Sequence, residues 1–282
     1  MKTRLFLFAA YDKDGVVGEA LQWYLKSLAH MGELVFVADS YMSAKELEKL
    51  APYCLHAEAV HHGEYDFGSY KRAYIWAKDN LDLSSYDHIY LVNDSVYGPL
   101  FDIYPYVLQM EALGTEAFSF VLNSNKRHTH LQSWFIGLDK SVFTKQYFED
   151  FILSVKKEDS KLDVCVKYET GLTELLCSND VRFDALLKLS GRKIYNAVKS
   201  LYMMDFPFIK KSAFTRHNGC LGAQLLYVMN RVPEDCRTVV LEDARRVFGE
   251  KYIDSLLTSN GLVIAARYLK YLGSKLGLCR IS

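Results

Sequence analysis

Asn93-Asp94-Ser95 is the triplet in this chain best placed to do chemistry. It closes the stretch Asp87–Leu100, whose first half, Ile89 to Val92, is a short apolar run rich in β-formers. That length and composition predict a buried strand. Small polar residues directly after such a strand sit where open α/β sheets take ligands, beyond the strands' carboxyl ends. A carboxylate there can hold a divalent cation, and the cation a diphosphate. Asn, Asp and Ser also make ordinary turns, and from the triplet alone the turn is the simpler reading.

Further polar loop positions form a candidate set with Asp94: Asp66, Lys71, Gln132, Glu169 and Lys210. Lys71 and Arg72 open a predicted helix, whose N-terminal dipole favours an anion such as phosphate; taken alone, a solvated helix face is the simpler reading of them. Glu169, in Tyr-Glu-Thr-Gly-Leu-Thr-Glu, stands near a helix start. It is a candidate general base for an acceptor hydroxyl, or a partner of the helix dipole. His61, His62, His128 and His130 suggest metal ligation, but no Asp or Cys partner set accompanies them. They read as exposed loop histidines, with His130 near an acceptor. GxGxxG, Walker, GxSxG and HExxH patterns are absent, which argues against the usual dehydrogenases, NTPases and serine hydrolases.

The elements that must position these residues alternate. Leu5–Ala10 predicts the first buried strand, followed by a polar loop, Tyr11–Gly15. Val17, Leu21, Tyr24, Leu25 and Leu28 recur at helical spacing and Gly32 closes that helix. Leu34–Ala38 predicts a second strand, Ser43 to Glu46 a capping box opening a helix to Leu50, and Ala57–Val60 a third strand. The loop His61–Gly68 leads into a helix over Ser69–Leu81, and then comes the Ile89–Val92 strand. Alternation of this kind means βαβ units and a mostly parallel sheet. Loops at one edge converge, so Tyr11–Gly15, Tyr65–Lys71 and Asn93–Ser95 would line one cleft. Further on, the pattern predicts a helix over Tyr106–Leu113, strands at Ala117–Leu122 and Leu131–Leu138, and a helix over Val142–Val155. It then predicts a short strand at Val164–Lys167 and a helix from Gly171 through Leu176. From about Phe183 it reads as helices: Ala185–Lys199, Cys220–Asn230 and Val239–Leu257. This gives a division of 1–182 as an α/β domain and 183–282 as a mainly helical extension.

Equal numbers of basic and acidic residues, 34 each, argue against a general nucleic-acid binder. The 20 Tyr and 16 Phe suit a sugar-binding cleft as well as they suit a core. Cys54, Cys165, Cys177, Cys220, Cys236 and Cys279 form no CxxC pair and read as reduced, mostly buried thiols of a cytosolic protein. The apolar N-terminal run is short and followed at once by Tyr-Asp-Lys-Asp, so it reads as a strand and not a leader. No segment reaches the ~20 apolar residues of a membrane span. Within Gly261–Ser282, Leu262, Ala265, Leu269, Leu272 and Leu276 fall on one helical face, with Arg267, Lys270 and Ser274 largely off it. That pattern suits a helix lying on an anionic membrane surface, or a terminal helix packing its Leu face on the domain.

Several phrases together resemble the rhamnan synthesis protein F family of bacterial polysaccharide glycosyltransferases. They are Tyr11-Asp-Lys-Asp-Gly15, Tyr65-Asp-Phe-Gly-Ser-Tyr-Lys71, Leu91-Val-Asn-Asp-Ser-Val-Tyr-Gly-Pro-Leu100, His130-Leu-Gln-Ser-Trp-Phe135, Tyr168-Glu-Thr-Gly-Leu172 and Phe206-Pro-Phe-Ile-Lys210. The resemblance covers about Met1 to Phe214. It implies a GT-A-like α/β fold and a cytoplasmic inverting enzyme, peripheral at the inner membrane, that moves a sugar to a cell-surface polysaccharide or O-antigen acceptor. The implied donor is a nucleotide-sugar, dTDP-L-rhamnose. By this resemblance Asn93-Asp94-Ser95 stands in place of the family fold's Asp-x-Asp motif, with one carboxylate instead of two. Glu169 is then the base, and Asp94 the diphosphate contact and ligand of a Mg²⁺ or Mn²⁺. Tyr11, Asp12, Asp66, Gly68, Lys71, Asn93, Ser95 and Lys210 fall to the donor, and His130, Gln132 and Ser133 to the acceptor. The lone carboxylate also suits an alternative, a non-catalytic glycan-binding or scaffold protein of an assembly complex.

Overall fold

The computed structural model describes residues 2–125, 129–215 and 221–276. The chain divides into two compact units. The first is built from the chain up to Asp94 and from Ile103 to Gly191; the second from Ser95–Asp102 and from Arg192 onward.

In the first unit, β1 (Arg4–Ala10), β2 (Glu33–Ala38), β3 (His56–Ala59) and β4 (His88–Asn93) lie parallel in the order β3-β2-β1-β4. Their crossovers carry α1 (Glu19–Ala29), α2 (Ala44–Glu48) and α3 (Tyr65–Asn80). Every residue of β1 is buried, which explains its unbroken apolar run: the strand is covered on both faces. Leu5, Leu7, Val35, Val37, Ile89 and Leu91 pack with Phe67, Tyr70, Ala73, Tyr74 and Ala77 of α3. The alternate residues turn to the other face, where Phe6 stacks on Tyr90 and Phe8 meets Tyr24 of α1 edge-on. Ser43 caps α2 by accepting the Glu46 N–H, as the capping pattern predicts.

After β4 the chain passes into the second unit as β5 (Val96–Tyr97) and returns with α4 (Tyr104–Glu111). Then come β6 (Ala117–Asn123), β7 (His130–Leu131) and β8 (Phe135–Asp139), with β8 antiparallel to both β4 and β6. Next are α5 (Lys140–Phe143), α6 (Gln146–Leu153), α7 (Lys161–Val164), a π-helical stretch over Cys165–Thr170 and α8 (Gly171–Ser178). Finally β9 (Phe183–Leu189) pairs parallel with β6, completing an eight-stranded sheet.

Several expected elements differ. The helix expected over Ala185–Lys199 is β9 followed by two short helices. Pairing with β6, from Ala117↔Phe183 to Asn123↔Leu189, overrides the local pattern, and Gly191, at φ +61°, cannot continue a helix. The sheet therefore runs past the change of pattern near Phe183. The strand expected at Val164–Lys167 is helical, started by Ser160 accepting the Asp163 N–H. Leu131–Leu138 is two strands, parted at Gln132–Trp134, and the helix over Val142–Val155 is α5 and α6.

The second unit pairs β5 antiparallel with β10 (Ile209–Lys210). It also contains α9 (Lys193–Asn196), α10 (Val198–Tyr202), α11 (Leu221–Met229), α12 (Glu234–Phe248), α13 (Glu250–Leu256) and α14 (Gly261–Lys275). The single helix expected over Val239–Leu257 breaks at Gly249, at φ +97°. The Tyr97 hydroxyl donates to buried Asp243 at 2.9 Å, tying β5 to α12.

Candidate active site

Tyr11, Asp39 and Asn93–Asp94 stand at the carboxyl ends of β1, β2 and β4, which share one edge because the strands are parallel. A polar cluster grows from that edge. Asn93, buried, donates its side-chain N–H to Asp66 of the first turn of α3 at 2.8 Å, and its backbone N–H to the Trp134 carbonyl. Tyr70, one turn further along α3, donates its hydroxyl to the Ser133 carbonyl at 3.0 Å. Ser133 in turn gives both its backbone N–H and its hydroxyl to Oε1 of Glu169, each at 3.0 Å. Glu169 lies on the π-helical stretch, a backbone form often found at functional sites. Cys165 shares that stretch. Burial first, then the Glu169 and Asp66 carboxylates, push its thiol up, so it stays protonated and hydrogen-bonds Glu169. Burial, with Asp66 adding to it, likewise pushes the Tyr70 hydroxyl well up and keeps it a donor.

The structure thus brings together Asp66, Asn93, Ser133 and Glu169 from four separate stretches of chain. Ser133, expected at the acceptor, is first of all the residue that fixes Glu169. Gln132 is buried and accepts the Trp134 indole N–H at 3.0 Å; His130 lies in β7, paired with Asn123. Asp94 follows Asn93 and its backbone N–H donates to Ala9.

Other expected donor residues have structural partners. Asp12 closes its own loop by accepting the N–H groups of Asp14 and Val16, beside exposed Tyr11. Lys71 gives its ammonium to Glu64 at 2.7 Å and to the Val155 carbonyl, while Arg72 pairs with the same Glu64 oxygen. Burial works to raise the Glu64 carboxyl, but the hydrogen bonds from Arg72 and Lys71 prevail and hold it low. Gly68 leaves room for this group: a Cβ there would stand 2.3 Å from the Glu64 Cβ and 2.7 Å from His62 Cε1. Ser95 and Lys210 belong to the second unit, where the buried Lys210 ammonium donates to the Ser95 hydroxyl at 2.9 Å.

Asp39 and Glu64 have no counterpart in the sequence reading. Asp39 accepts the backbone N–H groups of His62 and Gly63, both at 2.9 Å, and so shapes the loop before α3. Its place directly after a buried strand is the same signal that singles out Asp94. Two of the loop histidines are accounted for here: His61 faces Asp39, and His62 is enclosed rather than exposed. His128 lies outside the described residues. Among the described residues no group of three or more His, Cys, Asp or Glu side chains is placed to hold a metal.

An eight-stranded α/β layer carries this hydrogen-bonded carboxylate near the carboxyl edge of its parallel strands, where open α/β sheets take ligands. The family model described as rhamnan synthesis protein F matches residues 34–270, and the chain belongs to that family. No curated protein sequence matches the chain. Among solved structures, a mannosyltransferase of S. cerevisiae aligns at 8% identity and TM-score 0.33, over 54% of this chain and 59% of the other. Core-mannan synthase A of Aspergillus fumigatus, in a Mn/GDP form, aligns at 11% identity and TM-score 0.31, over 54% and 63%. S. aureus TarS, residues 1–349, aligns at 11% identity and TM-score 0.38, over 98% and 92%. The chain thus spans about three fifths of the two fungal enzymes. No helix among the described residues is long and apolar enough to cross a membrane.

Proposed function

We propose that this chain is an inverting, nucleotide-sugar-dependent glycosyltransferase that moves L-rhamnose from dTDP-L-rhamnose to a growing cell-surface polysaccharide or O-antigen acceptor. The observation that carries the reading is the doubly hydrogen-bonded Glu169 carboxylate beside the Asp66–Asn93 pair at the carboxyl edge of the sheet. Glu169 takes the proton of an acceptor hydroxyl as that oxygen attacks the anomeric carbon. The bond from the anomeric carbon to the diphosphate breaks on the opposite face, and the nucleoside diphosphate leaves with the electron pair. Asp94 would hold a Mg²⁺ or Mn²⁺, which would offset the charge of the leaving diphosphate. The acceptor is a glycan carried on a lipid, which the chain meets as a peripheral protein at the inner membrane face.

A thermal-shift screen of nucleoside diphosphates and nucleotide sugars, followed by product analysis by mass spectrometry, tests this. A dTDP ligand at ~100 times its Kd should add about 2.7 kcal/mol of stability and raise Tm. Stabilisation by a different nucleoside diphosphate would replace the donor. Binding of glycans with no nucleotide response would favour the scaffold reading, for which the single carboxylate at Asp94 already argues.

A further inference from the structure

The outer face of α14 has no use in the reading above. The helix is tied to α13 on one side: Arg267 donates to the Ser255 hydroxyl at 2.7 Å and to the Leu256 carbonyl, and Ile264 and Tyr271 are half-buried with it. Leu262, Leu269 and Leu276 follow at seven-residue spacing, which places them in line along one face of the helix. They are 83%, 67% and 74% exposed, and Ala265, Ala266 and Leu272 on the same face are exposed too. A terminal helix packing its leucines on its own domain would show the reverse. Here the leucines face outward and the mixed face looks inward.

Charge identifies the occupant. From Ser255 to the last residue of the sequence there is no Asp or Glu, while Arg267, Lys270, Lys275 and Arg280 are present, in a chain whose overall charge is zero. A second copy stacked ridge to ridge would gain nothing from this excess of positive charge. An anionic lipid surface accepts the leucines in its acyl boundary and the cations among its headgroups. We propose that α14 is a membrane-docking helix that lies in the surface of an anionic bilayer with Leu262, Leu269 and Leu276 immersed. The geometry stands by itself; only its purpose, bringing the enzyme to a lipid-linked acceptor, rests on the transferase reading.

The test is co-sedimentation of the full chain with phosphatidylcholine vesicles, with and without phosphatidylglycerol. It compares wild type with a Leu262→Ser, Leu269→Ser, Leu276→Ser variant and with Lys270→Glu. The three leucines are exposed, so the variant should keep the wild-type Tm and the same thermal response to nucleotide. Wild type should bind the anionic vesicles and release in high salt. The triple variant should bind at least ~10-fold more weakly, and Lys270→Glu should bind more weakly in low salt. Equal binding by wild type and triple variant overturns the proposal, as does failure of wild type to bind. A concentration-dependent dimer in wild type that the triple variant loses would assign the ridge to a second copy instead. A lost nucleotide response with intact vesicle binding would count against the transferase reading alone.

Discussion

Ser133 gives two hydrogen bonds, one from its backbone and one from its hydroxyl, to the same oxygen of Glu169. The backbone bond survives any substitution at 133 except proline, so the two contributions can be separated. Glu169→Gln keeps the shape but removes proton acceptance, and turnover should fall by ~10²–10⁴ while nucleotide affinity holds. Ser133→Ala loses only the hydroxyl bond, about 1 kcal/mol of positioning, and should lower kcat on the order of several-fold. Parallel loss of turnover and nucleotide binding in Glu169→Gln would make Glu169 a structural cap.

Asp94→Asn should leave the fold intact, because the backbone N–H that bonds Ala9 is unchanged. Transfer should drop on the order of 10²-fold or more, as expected when a group stabilising the leaving diphosphate is removed. Near-normal turnover in a folded Asp94→Asn protein would leave the triplet as a turn.

Gly68→Ala forces a Cβ to within 2.3 Å of the Glu64 Cβ, beside the Lys71 and Arg72 ion pairs. The expected cost is ~1–3 kcal/mol, measured by urea unfolding. A loss of nucleotide affinity with unchanged stability would return Gly68 to the donor site.

His62 makes stability depend on pH. Its Nδ1 accepts the Glu64 N–H and its other ring nitrogen meets Ser69 at 3.1 Å, an arrangement that needs the neutral ring. Burial, helped by Arg72 and Lys71 and opposed by Asp39 and Glu64, brings it down to about 4. The unfolded chain therefore binds a proton near pH 6.5 that the folded chain refuses until about pH 4. Stability should fall as pH drops through that window and level off below it. Burial lowers His88 as well, so its contribution has the same sign. A plot of Tm against pH should be flatter for His62→Gln than for wild type.

Glu111 holds the Arg4 guanidinium through both its oxygens, at 2.6 and 2.9 Å, and accepts the Tyr90 hydroxyl, with both ionic side chains almost wholly buried. Glu111→Ala should cost roughly 3–5 kcal/mol because it strands the Arg4 charge. Chemical denaturation reads this directly. Arg4 lies at the opposite end of β1 from Tyr11, so nucleotide affinity in the folded fraction should be unchanged.

The parallel half of the sheet was legible because its strands are covered on both faces and read as unbroken apolar runs: Leu5–Ala10, Leu34–Ala38, Ile89–Val92. β9 was not. Its Phe183-Asp184-Ala185-Leu186-Leu187-Lys188-Leu189 suits a helix as well as a strand, and β6 decides between them. The candidate site was half legible. Polar residues directly after buried strands stand out, so Asn93 and Asp94 could be found. The link from Ser133 to Glu169 joins residues 36 apart and depends on the π-helical stretch, which no local spacing announces. Glu64 was hidden for the same reason: a carboxylate in a loop shows its partners only when the helix carrying Lys71 and Arg72 is in place.

The excursion of β5 out of the first unit has a consequence for synthesis. Ser95 and Lys210, which hold each other across the β5–β10 pair, are 115 residues apart. At ribosomal rates of ~5–20 residues per second, β5 is made roughly 6–23 s before its partner strand exists. For that interval Val96 and Tyr97, buried in the finished protein, have no strand to pair with. A nascent chain stalled before residue 209 should therefore leave Val96 and Tyr97 accessible to a chaperone, and a chain stalled near residue 260 should not.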